Sequence, residues 1–224
     1  TGDNRKTQAE TGGRTGMKIL LVNDHAEFGG AENYVQNLRS ELEEEHEVAL
    51  LTLDGSEKPE YTVEEKDSII HQLKNRYLYS HRIEREVREA VEDFDPDVVH
   101  LNKNVVAPIS VLKTLESQKV VKTVHDFGFI SLNEKYAYEM NSVERKFRKL
   151  FDSATHLYLG KLRKKIIDQY TAPSEALTVE IEKEGYTPVE HFPNFVSDRE
   201  PSYEGVHFLF VGRLEEGKAP DLLI

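Results

Sequence analysis

Met17-Lys-Ile-Leu-Leu-Val-Asn-Asp-His-Ala-Glu-Phe-Gly-Gly-Ala-Glu-Asn-Tyr-Val-Gln-Asn-Leu38 decides the fold. The apolar run Ile19 to Val22 reads as a strand buried on both faces. A polar loop follows and ends in Gly29-Gly30, after which Ala31, Val35, Leu38 and Leu42 recur at helical spacing. Strand, glycine-bearing loop and helix form the first unit of an α/β domain. In such a sheet the functional crevice lies beyond the carboxyl ends of the strands, where Asn23, Asp24, His25, Gly29 and Gly30 fall.

The pattern repeats outward from that unit. Val48 to Leu53 is a second strand, and the acidic segment 56–67 shows no period and reads as loop. Ser68 to Leu73 fits either a short strand or a helix start. Ile83, Val87, Ala90, Val91 and Phe94 mark a helix stopped by Asp95-Pro96-Asp97. Val98 to Leu101 is a buried strand ending in Asn102-Lys103-Asn104, and Ile109, Val111, Leu112 and Leu115 follow on a helix. The strand Lys119 to Val124 runs into His125-Asp126. Residues 134–165 read as helical, divided into two around Asp152-Ser153, and Ile166 to Ala172 as strand. Ser174 is placed to cap a helix over 175–184 with Gly185 past its end, and Val189 to Phe192 is a last short strand. The alternation predicts a Rossmann-like, doubly wound, mainly parallel α/β sheet over residues 17–196.

Residues 1–16 hold glycine, threonine and charge and are expected to form a disordered tail, with Met17 opening the domain. Residues 197–204 read as a polar linker. Residues 205–224 carry one strand, Val206 to Val211, then Gly212-Arg213-Leu214 and a helix start, which is expected to begin a second α/β domain that the 224 residues leave incomplete.

Composition narrows the function classes. The net charge of −12, from 29 basic and 41 acidic residues, argues against a nucleic-acid binder, which needs a cationic face. There is no cysteine, so neither disulfides nor thiolate metal sites are available, which fits a cytoplasmic setting. No run reaches the roughly 20 apolar residues of a membrane span. The spacing G-x-G-x-x-G is absent, as are G-x-x-x-x-G-K-[ST] and G-x-S-x-G. This speaks against a nicotinamide oxidoreductase, a P-loop hydrolase and a serine esterase. No metal site is expected, because Asp95, Asp97 and His100 begin with a helix stop.

Four constellations can carry chemistry. Gly29-Gly30 before a helix start suits a close-approaching phosphate or hydroxyl, and equally a tight turn. His125-Asp126 ends a central strand, where an imidazole reaches into the crevice or simply bonds its own loop. Arg213 and Lys218 flank a loop after a strand and can neutralise a diphosphate, or stand as solvated surface cations. The basic residues Arg145, Lys146, Arg148, Lys149, Lys161, Arg163, Lys164 and Lys165 interleave with apolar ones. They suit peripheral contact with an anionic membrane face, or an ordinary helix with lysines in water.

Read together, these pieces resemble the family 4 glycosyltransferases of the GT-B fold. The resemblance rests on the opening strand with Gly29-Gly30-Ala31-Glu32, then Asp95-Pro96-Asp97-Val98-Val99-His100 and Thr123-Val124-His125-Asp126. Ala172-Pro173-Ser174-Glu175, Pro193-Asn194 and Phe210-Val-Gly-Arg-Leu214 with Lys218 continue it in order. Phe195 and Ala219 stand where the family has glycine. The resemblance implies a retaining, nucleotide-sugar-dependent transferase with no obligatory metal. It implies that Gly29, Gly30, Arg213 and Lys218 face the donor diphosphate and that His125 is catalytic. Asn23, Asp24, Asn102 and Asp126 would line the acceptor side, the acceptor being a glycan or lipid-linked glycan. The family's paired-glutamate donor motif is not in this chain, so the chain alone is expected to be inactive. A non-catalytic scaffold that pairs with a separate donor-binding subunit is the alternative. A receiver domain matches only the opening residues 18–25.

Overall fold

The run at 19–22 forms β1 (Lys18–Asn23) at the centre of a seven-stranded parallel sheet in the computed structural model of the chain. Residues 16–26, 29–53, 55, 59–63, 69–130 and 142–195 are described; for 69, 70, 73 and 142–153 the backbone alone is described. The remaining strands are β2 (Glu47–Thr52), β3 (Tyr61–Thr62), β4 (Val98–Leu101), β5 (Val120–Thr123), β6 (Gln169–Ala172) and β7 (Val189–His191). Their spatial order is β3-β2-β1-β4-β5-β6-β7. The chain therefore builds outward from β1 in one direction and then returns to pair β4 with its other edge. That reversal opens a crevice at the carboxyl ends of β1 and β4.

Strand alternation divides the core. Leu20 and Val22 of β1, Leu51 of β2, Val99 and Leu101 of β4 and Tyr170 of β6 share one apolar cluster. It is covered by α3 (His81–Phe94), α4 (Pro108–Thr114) and α6 (Glu175–Lys183), together with α5 (Ser142–Ile166). Ile19, Leu21 and Leu50 face the other way and pack on Tyr34, Val35 and Leu38 of α1 (Gly30–Leu42). Burial on both faces is why β1 and β2 read as unbroken apolar runs.

Local chemistry sets the element ends. The Ser80 hydroxyl accepts from the Ile83 N–H to cap α3, and Ser174 does the same for Leu177 in α6. Asp95 closes α3 in the left-handed region, at φ 51°. Asp97 Oδ2 then accepts the Lys18 N–H at 2.7 Å, tying the amino ends of β4 and β1 together. The Asp95-Pro96-Asp97 run is thus a helix stop and a strand tie at the end of the sheet opposite the crevice.

The structure corrects the sequence reading in three places. α5 is one helix through Asp152-Ser153, not two. The residues Ile166 and Ile167 are buried at the end of α5, so β6 begins only at Gln169. The ambiguous run from Ser68 resolves as α2 (Ile69–Tyr77), and the acidic loop before it carries the two-residue edge strand β3. Residues 1–15, the linker 197–204 and the strand expected over 206–211 lie outside the described residues.

Candidate active site at the carboxyl ends of β1, β4 and β5

Asn23, the last residue of β1, pairs in register with Thr52 of β2, which pairs with Thr62 of β3. On the other side Asn102 follows Leu101, the partner of both Val22 and Lys122. Thr123 of β5 pairs with Thr171 of β6. Below the carboxyl edge the α1 face is apolar; at the edge it turns into a row of threonines and asparagines. This row is the floor of the crevice.

Asn23 and Asn102 are almost wholly buried, at 0% and 1% exposure. Each amide donates to a nearby carbonyl, Asn23 Nδ2 to His25 O at 2.7 Å and Asn102 Nδ2 to His100 O at 3.4 Å. Asn23 Oδ1, Asn102 Oδ1 and His125 Nε2 are buried without a hydrogen-bond partner among the described residues. Each such group carries a desolvation cost of about 1–3 kcal/mol. All three lie at the ends of three adjacent strands, β1, β4 and β5.

Asp24 has a different task. Its carboxylate accepts the backbone N–H groups of Val105 (2.8 Å) and Val106 (3.1 Å), and Leu53 N–H donates to its carbonyl at 3.1 Å. Burial pushes its carboxyl above the usual range, against those hydrogen bonds and the nearby Lys103 charge. Asp24 thus fixes the loop that leads from β4 to α4. Asp24→Ala strips both N–H groups of their acceptor. Its expected cost is about 2–4 kcal/mol, read as a lower urea midpoint with the slope unchanged.

His125 lies two residues beyond β5. The Tyr34 ring and the imidazole meet edge to face, at 5.1 Å between centroids and 75° between planes. Burial lowers the His125 pKa to about 3, helped by Lys122, His100 and Lys103. At neutral pH the ring is therefore uncharged and a weak base, suited to hydrogen bonding rather than to holding a proton. Asp126 is exposed, and its Oδ1 accepts the Gly128 N–H at 2.8 Å to start the turn Phe127–Phe129.

Two lysines give the site its positive field. Lys122 sits inside β5, 4% exposed, and donates to the Asn102 carbonyl. Burial pushes its pKa down to about 7, and the Arg163 charge adds to this. Lys103, on the loop after β4, pairs with Glu32 Oε1 at 3.6 Å. Glu32 is buried in the first turn of α1, where a carboxylate suits the helix dipole. A β-carbon on Gly29 would collide with Glu32 Oε2, whereas one on Gly30 would meet nothing within 4 Å. Gly29 is extended, at φ 165°, so its glycine leaves space for Glu32 rather than serving a strained turn. Gly30 leaves the helix start open to an approaching group.

His100 points into the fold, as its place in β4 suggests. Its Nε2 bonds Thr123 Oγ1 at 2.8 Å, and burial holds its pKa down to about 4. Thr123 also bonds Thr171 Oγ1 at 2.9 Å and the Tyr34 hydroxyl. A threonine hydroxyl, with one donor and two acceptor sites, satisfies all three.

Asn23, Asp24, Asn102 and His125 therefore gather at one crevice, with Gly29 and Gly30 at the start of the helix that overlies its floor. Arg213 and Lys218 lie outside the described residues. Sequence reasoning missed Tyr34, Thr123, Lys103 and Lys122. Lys122 alone left a signal, a lysine in the otherwise apolar strand Val120-Val-Lys-Thr-Val124. Among the described residues no group of three or more histidine, aspartate or glutamate side chains is arranged to hold a metal ion.

A glycine-led helix and a strand-end histidine on a parallel sheet are the parts that the sequence motifs imply. The Glycosyltransferase Family 4 model matches residues 28–200. The chain belongs to Glycosyltransferase Family 4. Comparison with curated proteins gives no match. Among solved structures, Anabaena Alr3699/HepE in complex with UDP-glucose is similar at a TM-score of 0.50 and 15% identity. The match covers 80% of this chain and 44% of that one. The S. aureus MnaA–UDP structure is similar at a TM-score of 0.51 and 11% identity, over 77% of this chain and 44% of that one. The match thus spans less than half of either neighbour. The likeness shows the fold, an α/β Rossmann-like domain of the GT-B kind. Within Glycosyltransferase Family 4, the crevice at β1, β4 and β5 is the part of the fold that this chain carries among its described residues.

Proposed function

We propose that this chain supplies the acceptor-side half of a retaining, nucleotide-sugar-dependent glycosyltransferase. The observation that carries the reading is the trio of buried, unpartnered atoms, Asn23 Oδ1, Asn102 Oδ1 and His125 Nε2. They line up at the strand ends where this fold binds ligands. Two amide oxygens and a neutral imidazole suit hydroxyl-bearing ligands such as sugars. The positive field of Lys103 and Lys122 favours an anionic group beside them, as on a departing nucleoside diphosphate. In this reading Gly29 and Gly30 let the diphosphate approach α1, and Arg213 and Lys218 take its charge from the donor side, with no metal required. Asp24 and Asp126 shape the acceptor wall through the loops they fix.

The deciding assay uses the transferase carrying both this chain and a donor-binding domain with the paired glutamates. UDP-sugars are the first donors to try, since the Alr3699/HepE structure holds UDP-glucose. Sugar transfer to a glycan acceptor that persists in EDTA is the expected result. No transfer and no donor hydrolysis across a panel of UDP-, GDP- and ADP-sugars would overturn the reading. The 224-residue chain alone is expected to show no steady-state transfer, and robust turnover by it would overturn the assignment of half a site.

A lipid-linked acceptor at the cytoplasmic face of a membrane belongs to the same proposal. Leu157 and Tyr158 of α5 are exposed, at 69% and 43%, beside exposed Lys161. The other described basic residues of this helix have internal partners. Arg163 bonds Phe129 O, Lys164 bonds Glu184 O and Lys165 pairs with Glu116. No helix among the described residues is long and apolar enough to cross a membrane, so contact would be peripheral. Flotation with vesicles of anionic lipid is expected to carry the protein upward, and Leu157→Glu is expected to abolish this. Failure of the unmutated protein to float would remove the membrane from the proposal.

A further inference from the structure

His125 poses a problem of orientation. Its Nε2 has no hydrogen-bond partner among the described residues, so no bond at that nitrogen fixes the ring. A group that must keep a nitrogen free for substrate has to be oriented by contacts that leave the nitrogen alone. An aromatic ring packed on the imidazole does this, because it holds the ring without a hydrogen bond to that nitrogen. Tyr34 supplies that contact at 5.1 Å.

Tyr34 is itself held on three sides. It is 6% exposed within the α1 core. Its hydroxyl bonds Thr123, which is anchored in turn to His100 on β4 and to Thr171 on β6. Its ring meets Phe195 at 5.5 Å, and Phe195 leans on Phe192 at 6.4 Å.

We propose that Tyr34 is the positioning residue for His125, its ring setting the imidazole. Tyr34 also covers the imidazole from water. The charged and titratable groups that face His125 are Lys122, His100 and Lys103, all of which disfavour its protonation. Removing the aromatic cover admits water and weakens that effect. The proposal rests on the reading of His125 as the group that meets substrate, but its first test needs no turnover.

That test uses imidazole nitrogen shifts of the 224-residue chain at about pH 6, with strand amide spectra as the control for folding. In the unmutated chain a neutral His125 with a single tautomer is expected, together with nuclear Overhauser effects between the Tyr34 and His125 rings. In Tyr34→Leu the imidazole is expected to become partly protonated and its tautomers to mix. In Tyr34→Phe, which keeps the ring, the imidazole is expected to stay neutral. A folded Tyr34→Leu chain with unchanged His125 shifts would overturn the proposal. Absence of the ring-to-ring effects in the unmutated chain would overturn it too, whether or not the leucine variant folds. In the two-domain transferase, Tyr34→Leu is expected to lower kcat at least 10-fold, with donor KM within about 2-fold and most of the rate kept by Tyr34→Phe. If that transferase is inactive altogether, the functional reading fails and the shifts still decide the positioning.

Discussion

Acidification from pH 7 to pH 5 is expected to lower the free energy of unfolding by about 2–4 kcal/mol, well before the carboxylates titrate. The cause is two histidines held neutral in the fold, His100 with its pKa near 4 and His125 with its pKa near 3, against about 6.5 in the unfolded chain. Between those values the unfolded state binds protons that the folded state refuses. Stability therefore rises with pH through that window and is lost as pH falls below about 6.5. Burial is the main cause for both, and Lys122 adds to it. Asp24 works in the opposite direction, since burial raises its carboxyl. The double variant His100→Gln, His125→Gln isolates the histidine part. Its urea midpoint is expected to change little between pH 7 and pH 5. A slope equal to that of the unmutated chain would show that other groups cause the acid loss. Lys122 extends the same trend upward. The folded lysine sheds its proton near pH 7 and the unfolded one near 10.5, so stability continues to rise across that interval.

In a transferase carrying both domains, His125→Ala is expected to lower kcat by about 10²–10⁴-fold, the range for loss of a positioned polar group in a reacting centre. Folding should suffer less. The imidazole touches Tyr34 but has no hydrogen-bond partner at Nε2, so its loss opens a small gap rather than stranding a buried donor. A cost of about 1–2 kcal/mol fits that change. Measured together, kcat and the urea midpoint separate the two roles. Loss of turnover in proportion to loss of folded protein would return His125 to a structural part. His100→Gln is the informative companion. His100 bonds Thr123, the residue of the crevice floor that anchors the tyrosine. A smaller, second-order loss of rate is expected there.

How far the sequence speaks depends on whether a feature is local. The buried strands were legible because both faces are largely apolar, so β1 and β2 stand out as short unbroken runs, and β4 and β5 as runs interrupted at His100 and Lys122. The caps at Ser174 and Gly185 were legible because they act within a few residues. β3 was not, since a two-residue edge strand has no period. The supposed break at Asp152-Ser153 failed because Asp and Ser are only mildly unfavourable inside a helix, and α5 runs on through them. In the site, Asn23, Asn102 and His125 could be placed because strand ends project into the crevice of this fold. Tyr34 could not. Its importance lies in a hydroxyl bond to one strand and a ring contact to a loop, both set by the packing of α1 on the sheet. Asp24 was read at the end of β1, but its task was not visible, because the two N–H groups it accepts lie more than eighty residues away in sequence.

The return of β4 to the far edge of β1 also governs when the crevice comes into being. β1 pairs with β2 after a short helical connection, but Ile19 meets Val98 only after β2, β3, α2 and α3 have been passed. Closing that long loop is the entropically dearer step and sets a slower clock than local pairing. Asn23 and Asn102 sit on either side of this seam, so the floor of the site cannot exist as a half-made structure. During synthesis β1 and β2 emerge with one edge of β1 bare until β4 follows. The junction that creates the crevice thus leaves a strand edge bare during synthesis, and β1–β4 amides should be among the last to gain protection in pulse-labelled refolding.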